Sequence, residues 1–300
     1  MTARALAPIL ALATLGLAPA AAHADAAELF YERSLMSAAG ARCNLFDASV
    51  TAALTASARQ AKGAALRGGA DADALDGVQD RALAKAGAVG CASPDLATVA
   101  GRVRSAFAGY AKLTTMSFPG GAATWRADRG SGTSGWRLAQ TGASKSGAAT
   151  FGIAADDQGG DGLAAVAGWP TAFTASTARL VMRDPTLAPH AYLDPRHPEL
   201  ARQTPPRALT RTFFANARGS AGPALLPAGA AAGALFRFPA SVVSALEALD
   251  PREAVVLELV YPTRDGERVE AIPFEVGDFA AGRAFLSART AEAKVTAPRR

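Results

Sequence analysis

The periodicity of apolar residues changes near Thr114, and this change constrains the fold more than any other feature. Before it, apolar positions recur at helical spacing. After it come short alternating segments with tryptophans and frequent glycines. We therefore expect an α+β protein. Residues 25–114 form an N-terminal three-helix bundle held by one disulfide. Residues 115–290 form an antiparallel β-rich, sandwich-like domain that ends in a helix, and residues 291–300 form a disordered tail.

Three segments carry the helical pattern. From Ala26 to Arg67, Leu29, Met36, Cys43 and Val50 recur every seven residues, with Ala39, Phe46 and Ala53 between them, so one long helix is predicted with a bend near Gly40 or Gly63. Asp71 and Asp73 open a second helix at its positive end, with Leu75, Val78 and Ala82 inside. Ser93-Pro94-Asp95 is a strong third start: an N-cap, proline at the first helical position, then an acid. Leu96, Val99, Val103, Ala106, Tyr110 and Leu113 follow at helical spacing.

The chain has only two cysteines, Cys43 and Cys91. In an exported chain an even pair reads as a disulfide, and the redox motif C-x-x-C is absent. Export is expected from the first 24 residues. Arg4 precedes an apolar run from Ala5 to Leu17, too short to span a bilayer, and Ala22-His23-Ala24 fits a cleavage site. The reading is a periplasmic or secreted protein with no membrane span.

Strands are expected at Ala123–Asp128, Trp136–Gln140, Thr150–Ala154, Leu163–Trp169, Ala178–Met182 and Leu209–Ala215. Prolines make His190–Pro206 a long loop, and Gly219–Gly233 reads as another. Leu235–Phe238 is a strand and Pro239–Leu249 a helix. Val255–Tyr261 and Arg268–Val276 form a hairpin about the turn at Asp265-Gly266. Gly277-Asp278 caps a last helix over Phe279–Ala288.

Candidate chemistry thins on inspection. Gly130-Ser131-Gly132-Thr133-Ser134-Gly135 matches the dinucleotide fingerprint, with Asp156 downstream, but Trp136-Arg137-Leu138 follows as a strand where that fold requires a helix. His190 and His197, with Asp194 and Glu199, have zinc-binding chemistry but lie in a proline-rich loop that imposes no geometry. Asp156, Asp157 and Asp161 lack the glutamate that closes a calcium loop. No G-x-S-x-G or S-x-x-K occurs. Trp125, Trp136 and Trp169 read as core of a small sheet. No catalytic residue, metal or cofactor is assigned.

Charge is the remaining signal. The formal net charge is +5, and basic residues concentrate between Arg179 and Arg218. If the strand at Ala178–Met182 lies near the one at Leu209–Ala215, Arg179, Arg183, Arg211 and Arg218 converge on one anion-binding surface. Nucleic acid is not an expected partner, because the arginines lack interleaved aromatics.

The segment from Trp136 to Leu286 resembles the β-domain of the invasion-associated locus B family, exported proteins of Gram-negative bacteria. The likeness lies in Trp136-Arg137-Leu138, in Ala178-Arg179-Leu180-Val181-Met182, in Phe236-Arg237-Phe238-Pro239 leading to a helix, and in Phe274-Glu275-Val276-Gly277-Asp278-Phe279 running into the last helix. The resemblance implies an exported, non-catalytic β-domain. The expected function is an envelope binding or interaction module, whose partner is an anionic envelope polymer or another envelope protein. The alternative is a periplasmic hydrolase using His190 or His197.

Overall fold

The structure, a computed structural model, describes residues 20–130, 135–143, 147–156, 160–169, 175–194 and 196–296. The expected leader lies outside the described residues, except that Ala20–Ala24 begin the first helix. The fold is α+β, with an N-terminal helical region carrying the Cys43–Cys91 disulfide, an antiparallel β-rich part and a C-terminal helix.

The helical region holds α1 (Ala20–Cys43), α2 (Ala48–Arg67), α3 (Ala72–Ala88) and α4 (Pro94–Phe107). The single helix expected over Ala26–Arg67 is thus two helices. Asn44 takes a left-handed φ of +52° and ends α1. Asp47 then caps α2 by accepting the Val50 N–H at 2.8 Å. The break falls just beyond Gly40, whose carbonyl accepts the Leu45 N–H, and Phe46 lies against Gly40 across the corner. Asp71 and Ser93 cap α3 and α4 as expected. Met36, Ala39, Val50 and Leu54 pack with Ala86, Leu96 and Ala100 into one small core, and Phe30, Ala61, Leu66 and Leu75 form another. Leu29 and Val99, assigned to inner faces, are exposed.

The β-rich part begins with β1 (Thr115–Pro119), β2 (Thr124–Asp128), β3 (Trp136–Ala143), β4 (Ala148–Ala155), β5 (Asp161–Trp169) and β6 (Thr177–Arg183). Next come β7 (Thr210–Phe214), β8 (Ala217–Ser220), β9 (Ala232–Arg237), α5 (Ser241–Glu247), β10 (Ala254–Thr263), β11 (Gly266–Glu275) and α6 (Phe279–Thr296). One sheet runs β1-β2-β3-β4-β5-β9-β8 and the other β11-β10-β6-β7; every recorded pairing is antiparallel. The sheets share one apolar core: the Phe151 and Phe274 rings lie 5.3 Å apart, and Trp169 meets Tyr261 at 6.5 Å. The tryptophans Trp125 and Trp169 are buried in that core, as read from the sequence. Two strands were missed. Phe118-Pro119 ends β1, and β8 lies at the glycine-rich loop expected from Gly219. Residues 291–296, expected in a disordered tail, continue α6.

Helices and sheets meet through α2 and α6. Ala53 and Ala56 of α2 enter the main core beside Phe285 of α6. Arg129, after β2, is stacked 3.6 Å from the Phe285 ring centroid and 4.7 Å from that of Tyr110. It donates to the carbonyls of both residues, at 2.7 Å and 3.1 Å. The Tyr110 hydroxyl is buried beside this guanidinium. Burial pushes its pKa up from 10.0 to about 12, although Arg129 pulls the other way.

Two outcomes follow. Closing the 48-residue Cys43–Cys91 loop is worth about 4 kcal/mol in the chain-entropy model, so reduction, or Cys43→Ser, should lower the melting temperature markedly in a thermal scan. For Tyr110, the unfolded phenol ionises at a lower pH than the folded one. Its stabilising contribution is therefore complete below pH 10.0 and lost as pH rises toward about 12. Denaturant titrations across that range should show this loss in the wild type and not in Tyr110→Phe.

Candidate functional site

A cleft of about 700 Å³ opens where α2 and α3 face the ends of α5 and α6. Its formation begins with Glu275 at the end of β11. The turn between β1 and β2 leaves three consecutive N–H groups pointing inward, from Gly121, Ala122 and Ala123. All three donate to the Glu275 carboxylate, at 2.6, 2.8 and 2.7 Å. Gln140 on β3 bonds the Glu275 backbone N–H and carbonyl, at 2.8 Å and 3.2 Å. The chain then turns through Gly277, whose φ is +48° and whose missing Cβ would lie 3.3 Å from the Trp125 indole. This turn delivers Asp278 to the cleft floor at the start of α6.

Asp278 is buried and meets Arg67 of α2 in a two-pronged pair, at 3.0 Å and 3.2 Å. Burial raises its carboxyl above the usual carboxylate range, Arg67 pulls it back, and the nearby charge of Glu275 adds to the rise. Gly63, a turn before Arg67, leaves the space this pair occupies. A Cβ there would overlap Asp278 Oδ1 and lie 3.0 Å from an Arg67 Nη.

The walls carry further pairs. Arg252 bonds Asp250 through Nε and Nη2, each at 2.9 Å, and donates to the Leu66 carbonyl at 3.1 Å. Arg183 and Glu253 form a buried pair at 2.6 Å and 2.9 Å, and Arg183 also donates to the carbonyls of Ala188 and Pro189. This pair holds the segment carrying His190 at the rim. Nearer solvent, Arg59 meets Glu247 at 3.2 Å and Lys62 meets Asp76 at 2.7 Å.

The four arginines proposed for anion binding do not gather. The β6–β7 register sets Arg211 opposite Met182 and Thr212 opposite Val181, so Arg211 projects from the face opposite to Arg179 and Arg183. Arg179 pairs with Glu258, which Arg207 also contacts. Arg218 reaches the Ala175 carbonyl from β8. The strand pairing that motivated the cluster is present; side-chain parity and two glutamates on or before β10 remove the positive surface. Of the four, Arg183 alone lines the cleft.

The histidines separate too. His190 lines the cleft, whereas the His197 backbone carbonyl takes a bond from Gln203 at 2.6 Å in the loop beyond it. Among the described residues, no serine is recorded bonding either imidazole, and no group of three or more histidines, cysteines or acids is placed to hold a metal ion. Of the glycine-rich match, residues 131–134 lie outside the described residues, and β3 begins at Trp136 where a nucleotide site needs a helix. Asp157 of the acidic run is likewise outside them. Asp156 accepts the Gly160 N–H at 2.6 Å, and Asp161 pairs with Arg137 at 3.2 Å.

Sequence reading missed Arg59, Lys62, Arg67 and Asp278 as site residues. Asp278 was read only as a cap, and the others were not singled out. Gly63 within an alanine-rich helix was the available signal, read as a bend when it is a clearance. No family model, curated protein or solved structure matches this chain.

Glycine to alanine inside an exposed helix gains about 1 kcal/mol. Here Gly63→Ala should instead lose about 2–3 kcal/mol in denaturant unfolding, because the new methyl displaces the buried Arg67–Asp278 pair.

Proposed function

We propose that this protein is a non-catalytic binding module of the cell envelope, and that its ligand enters the cleft between the helical and β-rich parts. The observation that carries the reading is the lining of the cleft. Charges of both signs converge there, most of them matched with one another, and among the described residues His190 on the rim has no recorded hydroxyl or carboxylate partner. Binding sites are built this way, with polar groups fixed at the wall of a concave surface. A hydrolase needs a nucleophile within reach of a base, and that geometry is what the hydrolase alternative lacks among the described residues. The exported location is supported by the leader-like N-terminus and by the disulfide. No described helix is long and apolar enough to cross a membrane. The likeness to the invasion-associated locus B family supports the same placement.

The cleft differs from the surface first read from the arginines. Six carboxylates line it (Asp71, Asp73, Asp76, Glu247, Asp250 and Asp278) against Arg59, Lys62, Arg183 and Arg252. A purely anionic polymer is therefore a poorer fit than a ligand with charges of both signs.

Co-sedimentation with isolated peptidoglycan sacculi tests the reading. Ala248 is exposed on the cleft wall, so Ala248→Trp should fill the cleft without disturbing the core. Wild-type protein should pellet with sacculi, and this variant should pellet at least fivefold less at unchanged melting temperature. Equal pelleting of the two proteins, or none by the wild type, rejects the proposal.

A further inference from the structure

The charge pairs of the cleft fall into two groups by burial. Arg67–Asp278 and Arg183–Glu253 are largely withdrawn from water, and Asp250, partner of Arg252, is nearly so; these pairs hold backbone in place. Lys62–Asp76 is different, with side chains 34% and 65% exposed, and Arg59–Glu247 is exposed at 42% and 24%. Exposed pairs contribute little to stability, so a ligand's charges can replace their partners at low cost. Asp73, on the first turn of α3, lines the cleft and has no recorded partner among the described residues. The accessible groups are thus Lys62 and Arg59 on one turn of α2, the latter also donating to the Ala280 carbonyl at 2.7 Å, and Asp73 and Asp76 on α3.

A second groove, of about 400 Å³, lies on the other side of the same cations. Arg59 and Lys62 line both hollows, and the Lys62 ammonium is 5.7 Å from the Phe30 ring centroid. Phe30, Ala58 and Leu83 make this groove apolar, and Leu83 is 48% exposed there. An acidic patch, a basic patch and an apolar slot therefore meet around one residue, Lys62.

Building on the envelope-binding reading, we infer that the cleft takes a very short peptide with both ends free, so that an ammonium and a carboxylate lie close together with an apolar side chain beside them. The ammonium sits against Asp73 and Asp76. The carboxylate sits against Lys62 and Arg59, where guanidinium offers two parallel donors. The apolar side chain enters the slot beside Phe30 and Leu83. A uniformly anionic chain would face six carboxylates, and a uniformly cationic one would face Arg59, Lys62 and Arg252, so neither matches the lining as well.

Calorimetric titration of the whole protein with alanyl-leucine and leucyl-alanine tests this, beside the same dipeptides acetylated at the amine or amidated at the acid. The unblocked forms should bind at least fivefold more tightly than either blocked form. Lys62→Met should erase the preference for the free acid and keep that for the free amine. Asp73→Asn with Asp76→Asn should do the reverse. Equal binding of blocked and free forms, binding by none of them, or variants that leave both preferences intact would overturn the assignment. The outcome separates from that of the broader reading. If Ala248→Trp abolishes sacculus binding while no dipeptide binds, the envelope reading stands and the short-peptide assignment falls. If the dipeptides show these preferences while sacculus binding is absent, the assignment stands and the envelope reading falls.

Discussion

The carboxylate of Glu275 is the contact on which the rest of the arrangement depends. Three N–H groups of the β1–β2 turn have no strand or helix to bond to, and each would carry the cost of an unsatisfied buried donor. One side chain satisfies all three. By doing so it fixes the end of β11 against β1, β2 and β3, and the direction in which the chain leaves toward α6. Gly277 makes the turn, Asp278 arrives beside Arg67, and α2 is held against α6. The cleft results from this sequence of constraints, since each wall is anchored to the one before it.

Charge is used in two ways in the same few ångströms. Where Arg183 meets Glu253, water is excluded, and removing either partner would strand the other. Where Lys62 meets Asp76, water competes freely and the pair is loose. Burial, more than composition, separates a structural ion pair from a binding surface. The same distinction explains why a count of arginines misled. Arg179 and Arg183 were read as available charges, yet glutamates distant in sequence neutralise them, and only the pairing of β6 with β10 brings those partners together.

Local chemistry was legible where it was strong. Ser93-Pro94 and Asp71 gave true helix starts, the Asp265-Gly266 turn gave the last hairpin, and an even pair of cysteines in a chain read as exported gave the disulfide. Asn44 and Asp47 were equally local signals, but a seven-residue apolar repeat masked them; Leu29, its first member, proved exposed. The short edge strands β1 and β8 were illegible because a proline or glycine at a sheet edge looks the same as one in a loop. The candidate site was out of reach for a different reason. Arg67 and Asp278 lie 211 positions apart, and no periodicity encodes a contact of that range.

The path of the chain between the two sheets has a consequence for how the protein is made. The strands β1 to β5 form an ordered meander, each pairing with its neighbour in sequence, so that sheet can begin to assemble from local contacts. Its growth then stops at β5, because the next strand belongs to the opposite sheet and Trp169 waits for Ala232. During synthesis from the N-terminus, the open edge of β5, almost entirely apolar, stays unpaired until β9 emerges. Within this interval a second nascent chain can take the place of β9. The length of chain between β5 and β9 thereby sets the period in which folding competes with aggregation.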